Sequence, residues 1–518
     1  MKSFGARRWL ALGALALAGL VVGIDATVLN LALPTLATSL HASTSELQWF
    51  VASYTLVLAA MMIPGGMLGD RYGRKKFLII ALVIFGASSL ACAYAPSSGA
   101  LIAARAALGL AAAFVIPLSL SVLPVLFSKE ERGRAVTVLV SMSMIALPLG
   151  PLLGGWLLTT YWWGSVFLIN VPFVVIALVA VSFLLPESKS AKRRRFDPVG
   201  IATSSAALAL LVYGVIEAGQ HGWGSATALG CMIAGAFVLA AFVLWERRVR
   251  EPLVDLTLFC SPSFTWGTVL LTMVSFAMFG VMFAAPQYFQ AILKADAFGS
   301  GLRLLPMIGG LVVGAVLADR LTPRLGIKVV VSLGFALLIG GLLLGATTKV
   351  TSGEGLAAAW IAIAGAGVGF SLPKAMDAAL GALSPERSGV GSALLQAVRM
   401  VGGAFGAAIL GSIMNSAYHN ALHLGSLPTS AAAAVRDSVF GGLAVAQKLG
   451  SAALAESVRS AFMHGIAVML IACAGVALVG LVLTLAYLPR TAAAAEAEEV
   501  SGTTEEGEGV ELEGEFSA

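Results

Sequence analysis

Two charged residues interrupt long apolar runs in the first part of the sequence. Asp25 lies within WLALGALALAGLVVGIDATVLNLALP (9–34) and Arg105 within LIAARAALGLAAAFVIP (101–117). About 20 apolar residues suffice to cross a bilayer as a helix. An unpaired charge at that depth costs at least about 2.5 kcal/mol, so each should face protein or water rather than lipid. At ~1.5 Å of rise per residue, Asp25 sits about 12 Å below the outer end of a span over 9–33, and Arg105 ~7 Å below the outer end of a span over 100–123. Their side chains can close that difference. Attraction to Arg105 and desolvation would act in opposite directions on the Asp25 proton, so a modest rearrangement can switch it, which is chemistry suited to proton coupling. The same pair could also simply hold two helices together.

The second half carries its own membrane-depth charges. Asp377 and Arg399 fall roughly 8 and 12 Å from the inner ends of spans at 356–382 and 391–416, and Lys374 is within one helical turn of Asp377. An inner charge cluster of Lys374, Asp377 and Arg399 is expected, with gating, coupling and structural roles all open. Polar and aromatic residues that can face a central cavity are Asn30, Gln48, Trp49 and Tyr54 early in the chain, and Phe276, Phe279, Phe283, Gln287, Tyr288 and Gln396 late in it. Aromatic faces beside a carboxylate suit amphipathic or cationic organic molecules, whereas for any one of these aromatics helix packing is the simpler reading. Histidines 41, 221, 419, 423 and 464 form no convergent ligand set. The four cysteines, Cys92, Cys231, Cys260 and Cys473, form no CxxC pair, so neither a metal centre nor a disulfide framework is indicated, and no cofactor is expected.

The elements that must position these residues follow from composition. The chain is 58% hydrophobic and only 11% charged, with a mean hydropathy of +0.93, against about 25% charged in soluble domains. Continuous apolar runs specify helices rather than a closed barrel, so an all-α polytopic membrane protein is expected. Fourteen spans read at about 9–33, 47–69, 77–95, 100–123, 135–158, 164–185, 198–217, 226–245, 264–288, 301–318, 327–346, 356–382, 391–416 and 461–488. The first reads as an uncleaved span and not a signal peptide, because it is too long and ends in DATVLN. Most of the 32 Lys and Arg residues then fall in loops on the amino-terminal side, which puts both termini in the cytoplasm. Their place in short loops, KSAKRRR (189–195) above all, fits topology and attraction to membrane lipid, not nucleic-acid binding. Glu217, at the outer end of the seventh span, reads as a solvated carboxylate.

Two landmarks lie 249 residues apart: Asp70 and Arg71 in GGMLGDRYGRKK (65–76), and Asp319 and Arg320 in GAVLADRLTPRLGIK (314–328). That interval indicates two related six-helix halves with two spans inserted between them. The expected organisation is an amino-terminal bundle (1–190), two inserted helices with their flanking loops (191–260), a carboxyl-terminal bundle (261–490) and an acidic, disordered cytoplasmic tail (491–518). Within the second bundle, residues 417–460 form an outer connection with charges spaced as on amphipathic helices. ALPLGPLLGGWL (146–157) combines Pro148 and Pro151 with Gly150, Gly154 and Gly155. This suits either a moving contact between bundles or ordinary close packing.

These motifs resemble the major facilitator superfamily, specifically the fourteen-helix drug:proton antiporters of the bacterial multidrug-resistance type. GGMLGDRYGRKKFL resembles the superfamily's inside-loop signature, 101–117 its span-4 signature and LGPLLGG (149–155) its antiporter motif. DATVLNLALP (25–34) resembles the subgroup's span-1 signature, and 376–406 extends the likeness into the second half. Leu108 departs from the pattern, which commonly has Gln there. The resemblance implies a major facilitator fold of two six-helix bundles plus two central helices. It implies Asp25 as the proton-coupling carboxylate with Arg105 as its partner. Asp70, Arg71 and Arg74, with Asp319 and Arg320 in the second half, would form a conformational latch. The expected activity is proton-gradient-driven export of hydrophobic or cationic drugs by a monomer in the bacterial cytoplasmic membrane. Export of one particular antibiotic, metabolite or lipid-like compound is the alternative, and a proton-coupled importer a more distant one. An enzyme is not expected.

Overall fold

The computed structural model describes residues 2–189, 197–249, 252–381, 383, 388–423 and 427–488. The acidic tail and most of KSAKRRR lie outside them. Every described element is helical. The first half contains α1 (Lys2–Ser39), α2 (Thr44–Tyr72), α3 (Arg74–Ala93), α4 (Ser98–Leu126), α5 (Lys129–Thr160), the short α6 (Ser165–Leu168) and α7 (Asn170–Leu184). The hairpin α8 (Pro198–His221) and α9 (Ala226–Glu246) follows. The second half contains α10 (Pro262–Ala291), α11 (Ala297–Leu325), α12 (Ile327–Ala346), α13 (Glu354–Gly381), α14 (Ser388–Ala421), α15 (Thr429–Asp437), α16 (Val439–Lys448) and α17 (Ala452–Tyr487).

Among the described residues thirteen helices are long and apolar enough to cross a membrane. The 32-residue α5 stands beside them, about 48 Å long at helical rise. It stays helical through Pro148 and Pro151.

Helix ends are written in the local sequence. Ser43 opens α2 with a reciprocal capping box to Glu46, and Ser97, Asp197, Asp296, Ser438 and Ser451 each accept a main-chain N–H at the start of α4, α8, α11, α16 and α17. Such caps satisfy donors that the helix itself cannot. Gly73 ends α2 at φ +132°, and Gly326 ends α11 at φ +80°. The two related segments thus turn at corresponding places in the two halves.

In the first half α1 packs on α5 and α7, α2 on α4, and α3 on α4 and α7. In the second, α11 and α12 pack on α13, and α10 and α17 on α14. The halves meet where α2 touches α14, α5 touches α11 and α1 touches α10, and α8 leans on both α2 and α14. One buried apolar cluster joins Leu33, Leu36, Leu47 and Phe50 of the first half to Phe283, Tyr288 and Phe289 of the second. We call the end of the molecule bearing this seal and the α15–α16 pair the cap face. The opposite end, bearing Gly73 and Gly326, is the latch face.

The outer connection is shorter than 417–460, and α15 and α16 occupy much of it. α14 continues to Ala421 and α17 begins at Ala452, because Glu456 and Arg459 lower the hydropathy without interrupting the helix. Between them, Tyr418 donates its hydroxyl to the Val435 carbonyl at 2.7 Å, and Thr44 at the head of α2 donates to the Asp437 carbonyl at 2.9 Å. The cap therefore bridges the two halves. Glu217 lies 2.9 Å from His221 at the cap-face end of α8.

Candidate functional site

Asp25 is wholly buried in α1. Its Oδ2 accepts from Arg105 Nη1 at 2.6 Å and its Oδ1 from Asn170 Nδ2 at 3.0 Å. The same Asn170 amide lies 3.4 Å from Ser89 Oγ. Arg105, itself buried on α4, donates Nε to the Phe50 carbonyl at 3.2 Å, and its guanidinium lies 4.3 Å from the Tyr54 ring centroid. Four helices, α1, α2, α4 and α7, thus converge on one charge pair. The approach of α2 to α4 depends on Gly109, where a side chain would run into the Tyr54 main chain. Both Asp25 oxygens are thus engaged by donors, one from Arg105 and one from Asn170.

Of the residues expected in an inner cluster, Lys374 and Asp377 meet at 3.0 Å. Lys374 also reaches Asp319 Oδ1 at 2.5 Å. Arg399 does not join them. Its Nε is buried without a hydrogen-bond partner among the described residues. Similar depth put it near Asp377, but depth leaves the direction around the helix undetermined, and Asp319 of α11 occupies that position instead.

In the first of the two Asp-Arg segments, Arg74 Nε bonds Asp70 Oδ1 at 2.7 Å, and Arg71 lies over the Tyr72 ring at 5.2 Å. Glu187, after α7, accepts from the main-chain nitrogens of Lys75 and Lys76 at 3.2 Å each. A carboxylate there complements the positive amino-terminal end of α3. Arg320 is exposed.

In the antiporter-like segment, Gly150 and Gly154 of α5 abut Thr27 and Val28 of α1. Gly155 faces the other half: a Cβ there would lie 2.7 Å from Phe298 Cα and 2.9 Å from the Ala297 carbonyl. Gly301 of α11 answers it, its Cβ position being 2.5 Å from the Pro151 carbonyl. Pro148 is half-buried beside this seam.

Much of the residue set expected to line a cavity is packed into the closed seam. Gln48 is buried and donates to the Ala408 carbonyl at 3.2 Å. Gln287 turns back on its own helix to the Phe283 carbonyl at 3.0 Å, and Asn30 to the Ala26 carbonyl at 3.4 Å. Phe283 and Tyr288 are buried, and Trp49 tilts against Tyr213 of the inserted hairpin. Phe276, Phe279 and Gln396 are half-buried. Small residues explain the closure, since Gly406 and Gly411 of α14 bring that helix against Phe276 and Gln48.

Sequence reasoning passed over Asn170, Ser89 and Glu187. Asn170 carries no formal charge, but an amide at the head of an apolar span beside Pro172 was a usable signal. Among the described residues no group of three or more His, Cys, Asp or Glu is placed to hold a metal ion.

Comparison with known proteins agrees with this architecture. A family model described as Major Facilitator Superfamily matches residues 15–407. The chain is 31% identical over 491 residues to the tetracenomycin C resistance and export protein of Streptomyces glaucescens, covering 92% of this chain and 91% of that one. It is 34% identical over 475 residues to the multidrug efflux pump LfrA of Mycolicibacterium smegmatis, covering 89% and 92%. In fold it is similar to a bacterial homologue of the human lysosomal transporter Spinster, with a TM-score of 0.67 at 17% identity over 93% of this chain and 98% of that one. The chain belongs to the Major Facilitator Superfamily, as a multi-pass transporter and not an enzyme.

Proposed function

We propose that this protein is a proton-driven antiporter that exports hydrophobic or cationic drug-like molecules across the bacterial cytoplasmic membrane, working as a monomer with both termini and its latch face in the cytoplasm. The observation that carries the reading is the sealed Asp25–Arg105 pair, a titratable carboxylate at membrane depth held by a side chain that has other partners to move between. The export and efflux roles named for the relatives support the direction.

Asp25 and Arg105 form the coupling pair. With the latch-face side open, deprotonated Asp25 helps accept substrate. After the bundles rock, a proton from the cap-face side neutralises Asp25 and promotes release, and it leaves to the cytoplasm on return. Half-buried Phe276, Phe279 and Gln396 would contact substrate. Lys374 with Asp319 and Asp377, and Asp70 with Arg74, would hold the latch face in one state.

The test pairs substrate-induced proton release from purified protein with pH-driven export in vesicles, at matched membrane abundance. Asp25→Asn keeps the size and one oxygen but cannot titrate. It is expected to bind substrate and lose both activities; native levels of both would overturn the reading. A dedicated exporter of one compound is the second reading, favoured by the single antibiotic named for the Streptomyces glaucescens relative. A substrate panel in the same vesicles separates the two.

A further inference from the structure

The inserted hairpin contains a second carboxyl site, away from Asp25. Asp197 caps α8 and Glu246 is the last residue of α9; they are 7% and 3% exposed. Asp197 is fully provided with donors. Its Oδ1 accepts from Val199 N at 3.1 Å and Gly200 N at 3.0 Å, and Trp245 Nε1 donates to Oδ2 at 3.0 Å. Glu246 is not so provided. Its Oε2 accepts from Val254 N at 2.9 Å, and the Leu253 main chain also lies against the carboxyl, but among the described residues the buried Oε1 has no hydrogen-bond partner. Asp197 Oδ2 and Glu246 Oε1 both lie against Gly200: a Cβ built there would be 2.5 Å from the first and 2.7 Å from the second, and the two side chains are within hydrogen-bonding reach of each other.

Two ionised carboxylates cannot share such a place without a cation. The apolar neighbours Met61, Ile63 and Met67 of α2, with Ile201, Phe242, Leu253 and Val254, supply none. Among the remaining described charges nearby in the chain, Arg247 and Arg248 are exposed, and Asp255 Oδ1 is engaged by Thr257. Lys192, Arg193, Arg194, Arg195, Arg250 and Glu251 lie outside the described residues, so the absence of a cation holds among the described ones.

We propose that Asp197 and Glu246 hold one proton between them, carried on Glu246 Oε1 and donated to Asp197 Oδ2, as a second protonation site at the foot of the α8–α9 hairpin. Helix ends decide which residue bears it. The amino-terminal end of α8 favours an anion at Asp197, and the carboxyl-terminal end of α9 disfavours one at Glu246. With the proton there, every polar atom of the pair has a partner. The proton then ties both helix ends and the segment around Val254 into one unit resting on α2.

The test is infrared spectroscopy of the purified full-length protein in lipid nanodiscs at neutral pH, read at the carbonyl stretch of protonated carboxyls. An Asp25→Asn background removes the one buried carboxyl outside this pair among the described residues. The band is expected to persist in Asp25→Asn and to lose one carboxyl's intensity in Asp25→Asn/Glu246→Gln. The side-chain amide introduced by Glu246→Gln supplies an N–H to Asp197 in place of the proton, so that variant should fold. Unchanged intensity would overturn the proposal. The single Glu246→Gln variant against wild type gives the same comparison should the double variant fail to accumulate.

Thermal unfolding gives an independent readout. A proton bound in the folded state and absent from the unfolded one makes stability fall as pH rises through the pair's titration. Wild type should therefore lose melting temperature more steeply than Glu246→Gln as pH rises from about 4, where an unfolded carboxyl titrates, up to the pair's own titration, and parallel profiles over that range would also overturn the assignment. Neither readout depends on transport, so failure here is distinct from failure of the antiport mechanism.

Discussion

Arg105 has three attachments: a carboxylate, a carbonyl and a ring face. A planar guanidinium can serve all three, and an ammonium cannot. Arg105→Ala leaves Asp25 buried with only Asn170 as donor, and is expected to destabilise the protein by about 3–5 kcal/mol, measurable by denaturant unfolding in detergent. Arg105→Lys should fold better than Arg105→Ala and still transport poorly. In the second half, Lys374 is nearly buried between two exposed carboxylates. Asp377→Asn leaves it paired with Asp319, whereas Lys374→Met removes the centre of the group. Export at matched abundance should fall more for Lys374→Met, and equal effects would mean that Asp319 does not substitute. Charges such as Asp25 and Arg105 were legible in the sequence because an apolar run makes any charge conspicuous. The amide of Asn170 had no such contrast. Asp197 and Glu246, at helix ends, resemble ordinary solvated boundary residues until the fold brings them together.

Helices bring their own requirements. The crossing of α5 and α11 is made from main chain against main chain at Gly155 and Gly301. Gly155→Ala must push the two helices apart at the cap face, so it should favour the conformation in which that face opens. Spin labels on α5 and α11 near the cap face would register a longer mean distance, and an unchanged distribution would mean the backbone absorbs the methyl group elsewhere. The cap itself rests on few bonds. Tyr418→Phe removes the hydroxyl held by the Val435 carbonyl, a loss of about 0.5–1.5 kcal/mol. Amide exchange should quicken in α15 and stay unchanged in the middle of α17. The prolines of α5 show where local rules stop: Pro148 and Pro151 each remove a main-chain donor, yet the segment remains one helix, packed against α1 and α11.

At the scale of the molecule, the repeat at 249 residues and the run of apolar segments made the two-bundle plan readable, while the closed seam was not. Hydropathy records which residues avoid water and is silent on which of two faces is sealed. Topology remains directly testable: α17, 36 residues and about 54 Å long, carries the chain from the cap to the far side. Reporters fused after Arg490 and near Pro428 should therefore lie on opposite sides of the membrane, the first in the cytoplasm. The α8–α9 hairpin touches both halves. Near the cap face α8 is fastened to α14, where Ser412 Oγ donates to the Val215 carbonyl at 2.9 Å and Asn415 Nδ2 to the Gly219 carbonyl at 3.1 Å. At its other end the hairpin lies on Met61, Ile63 and Met67 of α2. Hydrogen-bonded to the second half at its top, where Trp49 and Leu56 of α2 also pack on it, and resting on the first half at its bottom, such a strut would limit the travel of a rocking motion rather than drive it, and shortening α8 by a turn should let the bundles swing wider while leaving the reacting residues untouched.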